Sequence, residues 1–278
     1  MGFNNFIESH LYIGGILKLK TITIAAPVRD RDWILQHYLD ALVNIDYPKK
    51  LIDLRFVVND STDCTLEMLT NFKSLMNNCY RGIHIDIYNR NVPVDQRELN
   101  VRNNYIYDHL SKLKNFIISR TKTDYLLFLD ADILVPTDII NNLLKHQKDI
   151  VSGLIWNGYL TNPDQPYLYP NVMRLQNGIY RHILNRSIRN VRCKSSTPLP
   201  LMKVDLTGAV ILISRKAYKS VKYGFHPQGE DAYFCKMAQE KGFELFCDVG
   251  LFCNHIMNEN LLREYLNEKE SNTLPSYS

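Results

Sequence analysis

Residues Tyr125–Asp132 read YLLFLDAD: five apolar side chains run straight into two carboxylates separated by one alanine. A short, unbroken apolar run of this kind suits a strand buried on both faces, as a parallel sheet requires. Asp130 then falls at the mouth of the strand, where the chain leaves the core.

Upstream, the same unit repeats. Thr21–Ala26 (TITIAA) is a β-branched run closed by Pro27, and Trp33, Leu35, Tyr38, Leu39 and Leu42 follow at helical spacing. Leu54–Val58 (LRFVV) predicts a second strand, closed by Asn59-Asp60-Ser61-Thr62-Asp63, with a helix carrying Leu66, Met68, Leu69 and Phe72. His84–Tyr88 (HIDIY) alternates as a third strand, 103–118 reads as a helix, and YLLFL is the fourth strand. Alternating strands and helices imply an α/β fold with a mainly parallel, doubly wound central sheet. Ligands of such sheets bind beyond the carboxyl ends of the strands, so Asp60 and Asp130 are expected to face one crevice.

Downstream the pattern changes. Trp156–Pro200 is rich in Asn, Pro, Tyr and Arg, has little periodicity, and is too long for an ordinary connection. It is expected to hold short strands or a functional loop region. Val204–Ser214 (VDLTGAVILIS) regains strand composition, Asp231–Lys241 predicts a helix, and Glu244–Cys247 a strand. From Asn258 the chain reads as helical (LLREYL) and then as a flexible tail (NEKESNTLPSYS). The expected organisation is one domain over 1–258, with a nucleotide-binding half at 20–135 and an acceptor-side half at 136–258. A C-terminal helix and tail occupy 259–278.

Bulk properties narrow the function. The chain has 278 residues, 45% of them hydrophobic, enough for a substantial core. Its longest apolar runs are too short to span a bilayer, which leaves room only for peripheral membrane contact. The N-terminus lacks the basic start and apolar stretch of a signal peptide. A net charge of +4 on a nearly balanced chain gives no basis for nucleic-acid binding. The densest basic stretch, Arg181–Lys194, reads as a solvated face or as a contact for phosphates. The six cysteines form no Cys-x-x-Cys pair, so a zinc cage is unsupported and a reduced, cytoplasmic setting is the simpler expectation.

Four patterns can carry chemistry. Asp130-Ala131-Asp132 can approach a hard divalent cation, and Mn²⁺ or Mg²⁺ often completes its shell with substrate phosphates. The bland alternative is a turn, with Asp132 capping the helix beyond Pro136. Asp60 can accept from a nucleobase edge or a ribose hydroxyl, while Ser61, Thr62 and Asp63 can equally cap the next helix. Glu230-Asp231 opens a helix; adjacent carboxylates are expected to point apart, one as general base and one positioning the acceptor. Their alternative is a favourable acidic first turn. His255, late in the chain, is either structural or a further contact for metal or diphosphate.

The ordered series is similar to that of GT-A-fold glycosyltransferases of family 2, and more distantly to the fungal mannan-polymerase type. It comprises Pro27-x-Arg29, Asn59–Asp63, Val101-Arg102-Asn103, YLLFLDAD, Thr207-Gly208-Ala209, Gly229-Glu230-Asp231 and His255. The resemblance implies a Rossmann-like GT-A sheet and hexosyl transfer from a nucleotide-diphosphate sugar to a glycan, lipid-linked or protein acceptor. Pro27, Arg29 and Asp60 would line the nucleotide pocket, and Arg102 would steady the diphosphate or the Asp-x-Asp segment. Asp130 and Ala131 would meet the donor, with Asp132, Asp130 and His255 as metal ligands. Asp231 would be the base of an inverting single displacement, with Glu230 holding the acceptor. Two departures bear on detail: Asn59-Asp60-Ser61 replaces the family's Asp-Asp-x-Ser, and the mannan-polymerase type is retaining. A sugar-nucleotidyltransferase and a non-catalytic nucleotide-sugar-binding module are the rival readings.

Overall fold

The computed structural model describes residues 19–94, 104–159, 167–184 and 201–273. The expected Val101-Arg102-Asn103 motif, and with it Arg102, lies outside these residues.

Strands β1 (Ile22–Val28), β2 (Ile52–Val58), β3 (Gly82–Ile87) and β4 (Tyr125–Leu129) are all parallel, in the order β4-β1-β2-β3. Helices α1 (Asp32–Val43), α2 (Thr65–Met76) and α3 (Asn104–Arg120) alternate with them, as the sequence pattern predicts. β1 continues through Pro27 rather than stopping before it. β4 pairs only with Ile22–Ala25, so at Pro27 no neighbour on that flank needs the missing N–H. In β4, Leu127 and Leu129 enter one core cluster while Leu126 and Phe128 enter the other, the period of two expected of a strand buried on both faces.

The second half interrupts the parallel order. β12 (Val210–Ser214) runs antiparallel between β4 and β6 (Ile150–Leu154). β13 (Leu245–Phe252) is parallel to β6, and β11 (Leu201–Val204) closes the edge, completing eight strands. The expected single segment Val204–Ser214 is therefore split. Leu206 bridges to Met173 instead, and the chain re-enters the sheet only at Val210.

Short antiparallel pairs lie outside this sheet: β5 (Ile133–Leu134) with β14 (Asn254–His255), β7 (Trp156–Tyr159) with β8 (Tyr167–Pro170), and β9 (Met173–Gln176) with β10 (Ile179–His182). The irregular region thus holds short strands. The remaining helices are α4 (Ile139–Leu144), α5 (Arg215–Ser220), α6 (Glu230–Glu240) and α7 (Glu259–Thr273). α7 runs through most of the stretch expected to be a flexible tail. Its Leu261, Leu262, Tyr265 and Leu266 pack on the first core cluster, which anchors the polar turns that follow. Among the described residues no helix is long and apolar enough to cross a membrane.

Candidate active site

The carboxyl ends of the parallel strands are drawn together by loops in an uncommon backbone state. Asp30, Asp60, Asn91 and Ala209 have φ of 47°, 48°, 53° and 67°. Asp and Asn tolerate this left-handed region because their short side chains bond locally; alanine does not, so Ala209 is held there by its surroundings.

The loops after β1 and β2 are latched to each other. Asp30 N–H donates to Ser61 Oγ (3.0 Å), and Thr62 N–H returns to Asp30 Oδ1 (2.8 Å). Asp32 N–H donates to Asp63 Oδ2 (2.9 Å), and Arg31 N–H to Thr65 Oγ1 (2.8 Å). Asp63 Oδ1 also accepts from Thr65 N–H (3.0 Å), but the N-cap of α2 is Cys64, so none of Ser61, Thr62 and Asp63 is the cap. Asp60 organises the loop after β3: its carboxylate accepts from Arg90 and Asn91 N–H (both 2.9 Å) and from Val92 N–H (3.1 Å). Partial burial opposes its ionisation, but these amides and Arg29 outweigh it and hold the carboxyl below its usual range. Arg29 Nη1 donates to Val92 O (2.8 Å), so Arg29 and Asp60, one strand apart, grip the same loop.

The Asp-x-Asp segment turns tightly. Asp130 N–H donates to Ala209 O (3.2 Å) and Ile133 N–H to Asp130 O (3.0 Å). Ala131, only 4% exposed, points into the core, which is why the residue between the carboxylates is small. Beneath, the Tyr38 hydroxyl donates to Leu129 O (2.9 Å). Asp132 does not cap α4, whose N-cap is Asp138. It meets Arg31 Nη2 at 3.1 Å and His255 Nε2 at 3.6 Å. His255 is brought there by the β5–β14 ladder, in which it faces Ile133, and by Ile256 N–H donating to Asp132 O (2.8 Å).

His255 Nδ1 lies 2.8 Å from Asn157 Oδ1. An amide oxygen only accepts, so Nδ1 is the donor in this contact, and a neutral ring held this way would offer Nε2 to a cation beside Asp132. Among the described residues no three His, Cys, Asp or Glu side chains converge as a cage, so Asp130 does not complete a three-ligand group with Asp132 and His255. One carboxylate and one imidazole oriented by Asn157 fit a cation that draws its remaining ligands from phosphate and water, as Mn²⁺ and Mg²⁺ do.

Glu230 and Asp231 open α6 behind Gly229, whose φ of 110° only glycine adopts freely. They were expected to point apart. Instead both reach one ammonium: Lys114 Nζ donates to Glu230 Oε1 (2.9 Å) and Asp231 Oδ1 (2.7 Å). The longer Glu230 side chain is what allows two neighbours to converge. Glu230 is buried, its side chain 9% exposed against 27% for Asp231, which leaves Asp231 the more open of the two. Burial disfavours the charged Lys114, but Asp231 and Glu230 more than offset it and raise its pKa well above the ordinary value. The backbone of Gly208 lies directly under Asp231: an added Cβ there would sit 2.5 Å from Asp231 Cγ.

Sequence reasoning missed Lys114, Arg31 and Asn157 as site residues. For Lys114 a signal existed, because it lies four residues after Leu110 and three before Ile117 on the apolar stripe of α3. Of the aromatics in the irregular region, Trp156 packs against the second core cluster and Tyr169 meets His182 at a tilt, with centroids 4.3 Å apart. Tyr159 and Tyr167 pair in register between β7 and β8.

The Anp1 family model matches residues 14–179. The mannan polymerase II complex anp1 subunit of Schizosaccharomyces pombe is 25% identical over 176 residues, covering 56% of this chain and 40% of that protein. This chain therefore spans less than half the length of that relative. GalNAc-T7, solved with UDP, GalNAc and Mn²⁺, superposes with a TM-score of 0.59 at 15% identity, covering 87% of this chain and 45% of its own. The mannosyltransferase PcManGT of Pyrobaculum calidifontis, solved with GDP-Man and Mn²⁺, gives 0.51 at 14% identity, covering 86% and 57%. These two likenesses establish the GT-A glycosyltransferase fold.

Proposed function

Because the chain belongs to the Anp1 family, we propose that it is a metal-dependent glycosyltransferase moving a sugar from a nucleotide-diphosphate donor to an acceptor hydroxyl. One observation carries this reading: the two carboxylate groups are anchored one residue apart on a single turn. Asp231 rests on Gly208, and Ala209 O takes the N–H of Asp130. A metal-side group and a proton-accepting group on one turn are what group transfer between a phosphorylated donor and a hydroxyl needs.

On this reading Pro27, Arg29 and Asp60 receive the nucleotide, Arg102 steadies the diphosphate, and Asp130 and Ala131 border the donor. Asp132 and His255 would hold Mn²⁺ or Mg²⁺, which supplies positive charge for the departing diphosphate. The acceptor oxygen bonds to the anomeric carbon as the bond to the diphosphate oxygen breaks, while Asp231 takes the hydroxyl proton. Charge on the sugar in an oxocarbenium-like transition state is offset by the same carboxylate. The burial of Glu230 supports a counter-ion role for it rather than acceptor contact. A cytoplasmic, reducing setting belongs to the same proposal, supported by exposed free thiols at Cys64 and Cys79.

The Lys114–Asp231 pair favours a second reading of one detail. A carboxylate held by a buried ammonium is fixed in place, so Asp231 would orient the acceptor without taking its proton. The anomeric configuration of the product separates the two: inversion supports base catalysis by Asp231, and retention the orienting role.

A thermal-shift panel of nucleotide sugars with and without Mn²⁺ is the first test, since a specific ligand raises apparent stability by mass action. Asp132→Ala should abolish metal-stimulated donor turnover; near-normal turnover refutes its assignment. Asp231→Asn should keep donor binding and lose transfer. Release of pyrophosphate in place of nucleoside diphosphate would establish the nucleotidyltransferase rival, and binding without turnover the silent module.

A further inference from the structure

We propose that Lys114 is a positioning residue of the transfer reaction, fixing the Asp231 carboxylate in one orientation against Gly208, with Glu230 as its second, buried counter-ion. The inference rests on the reading that Asp231 faces the acceptor.

Lys114 stands on α3 and is 5% exposed, yet its ammonium is drawn across to the first turn of α6. A charge is buried only at a cost, and replacing a buried ion pair by apolar groups is often neutral or stabilising, so stability alone gives little reason for it. One carboxylate would satisfy the ammonium as a pair. Here a buried one, Glu230, already does so, and the second contact goes to the more open Asp231.

The ammonium itself has little freedom. The ammonium also lies over the Tyr223 ring (4.9 Å) and the Phe128 ring (5.9 Å). Asp231 is then confined twice: Lys114 bonds Oδ1 at 2.7 Å, and the opposite side of the carboxylate lies on Gly208. Gly208 cannot give way easily, because its carbonyl accepts from Asn171 Nδ2 (3.0 Å) and from Val210 N–H (2.8 Å). Asn171 is itself buried and donates to Gly153 O as well (3.0 Å). The carboxylate is thus pinned between an ammonium and a backbone floor tied to the central sheet, a degree of constraint suited to holding a reacting group in place.

The test is a charge-balanced pair of substitutions, Lys114→Met with Glu230→Gln, which removes one buried cation and one buried anion together. The readouts are nucleoside-diphosphate release from the nucleotide sugar giving the largest Mn²⁺-dependent thermal shift, the donor KM, and circular dichroism. The expected result is a folded protein with donor KM unchanged and kcat lowered about 100-fold, the scale of an ångström-sized misplacement. Lys112→Gln, which removes an exposed ammonium from the same helix, should keep the parental kcat. A folded double variant with wild-type kcat overturns the inference. If the double variant does not fold, Lys114→Gln serves in its place, with unchanged kcat again overturning the inference. Failure of the underlying reading looks different: Asp231→Asn itself would then keep its turnover.

Discussion

Substituting Gly208 by alanine isolates the contact on which the site's geometry depends. Gly208 does not occupy the left-handed region, so alanine suits its backbone and the whole effect comes from the added methyl. That methyl would overlap Asp231 Oδ2 and lie 2.5 Å from Cγ, where ordinary contact begins at 3.4 Å, so the carboxylate must retreat by more than about 0.9 Å. It cannot do so by simple rotation, because Lys114 holds Oδ1 at 2.7 Å. Either that bond breaks or the first turn of α6 shifts. A displacement of this size at a reacting group costs about 100-fold in rate, or about 2.7 kcal/mol of barrier. Overpacking should also destabilise the fold by about 1–3 kcal/mol. The assay measures kcat, donor KM and the urea midpoint of Gly208→Ala beside the parent protein. Loss of kcat with donor KM held is the expected outcome. Parental kcat together with an unshifted midpoint would refute the reasoning, since Asp231 would then be free to move without consequence.

Further predictions concern the metal side and the loop latch. Asn157→Leu removes the acceptor that fixes the His255 tautomer and should weaken Mn²⁺ binding to the nucleotide-free protein about 10–100-fold, whereas Asn157→Asp should preserve it. Equal affinities by titration calorimetry would discard the orienting role. Asp60 has a folded pKa below its ordinary value of 3.8, so its stabilisation is complete above that value and is lost as pH falls through the folded one. The stability difference between the parent and Asp60→Asn should therefore be steady above about pH 4 and shrink at lower pH. A pH-independent difference in urea midpoints would show that the carboxylate's charge does not hold the loop.

The strand–helix alternation and the places where carboxylates follow strands were legible in the sequence. YLLFL is β4 to the residue, because a run buried on both faces is a local pattern and the polar residue that ends it is local too. The same locality marked Asp60, Asp130, Asp132 and Asp231, each at the end of an element. It failed at Val204–Ser214, where composition stayed strand-like across a break set by Leu206 pairing with Met173.

Partnership was beyond the sequence. Lys114 finds Asp231 across 117 residues, Arg31 finds Asp132 across 101, and His255 finds Asn157 across 98. Periodicity and local propensity extend over a turn or a strand and carry nothing at such separations. The insertion of β12 between β4 and β6 supplies the turn that carries Gly208 and Ala209, and so brings the two carboxylate groups side by side. The sequence by itself determined which residue types stand at the strand ends. Only the tertiary structure decided which of them are pinned, which are buried as counter-ions and which stay more open, because those states depend on side chains that meet only when the sheet has assembled.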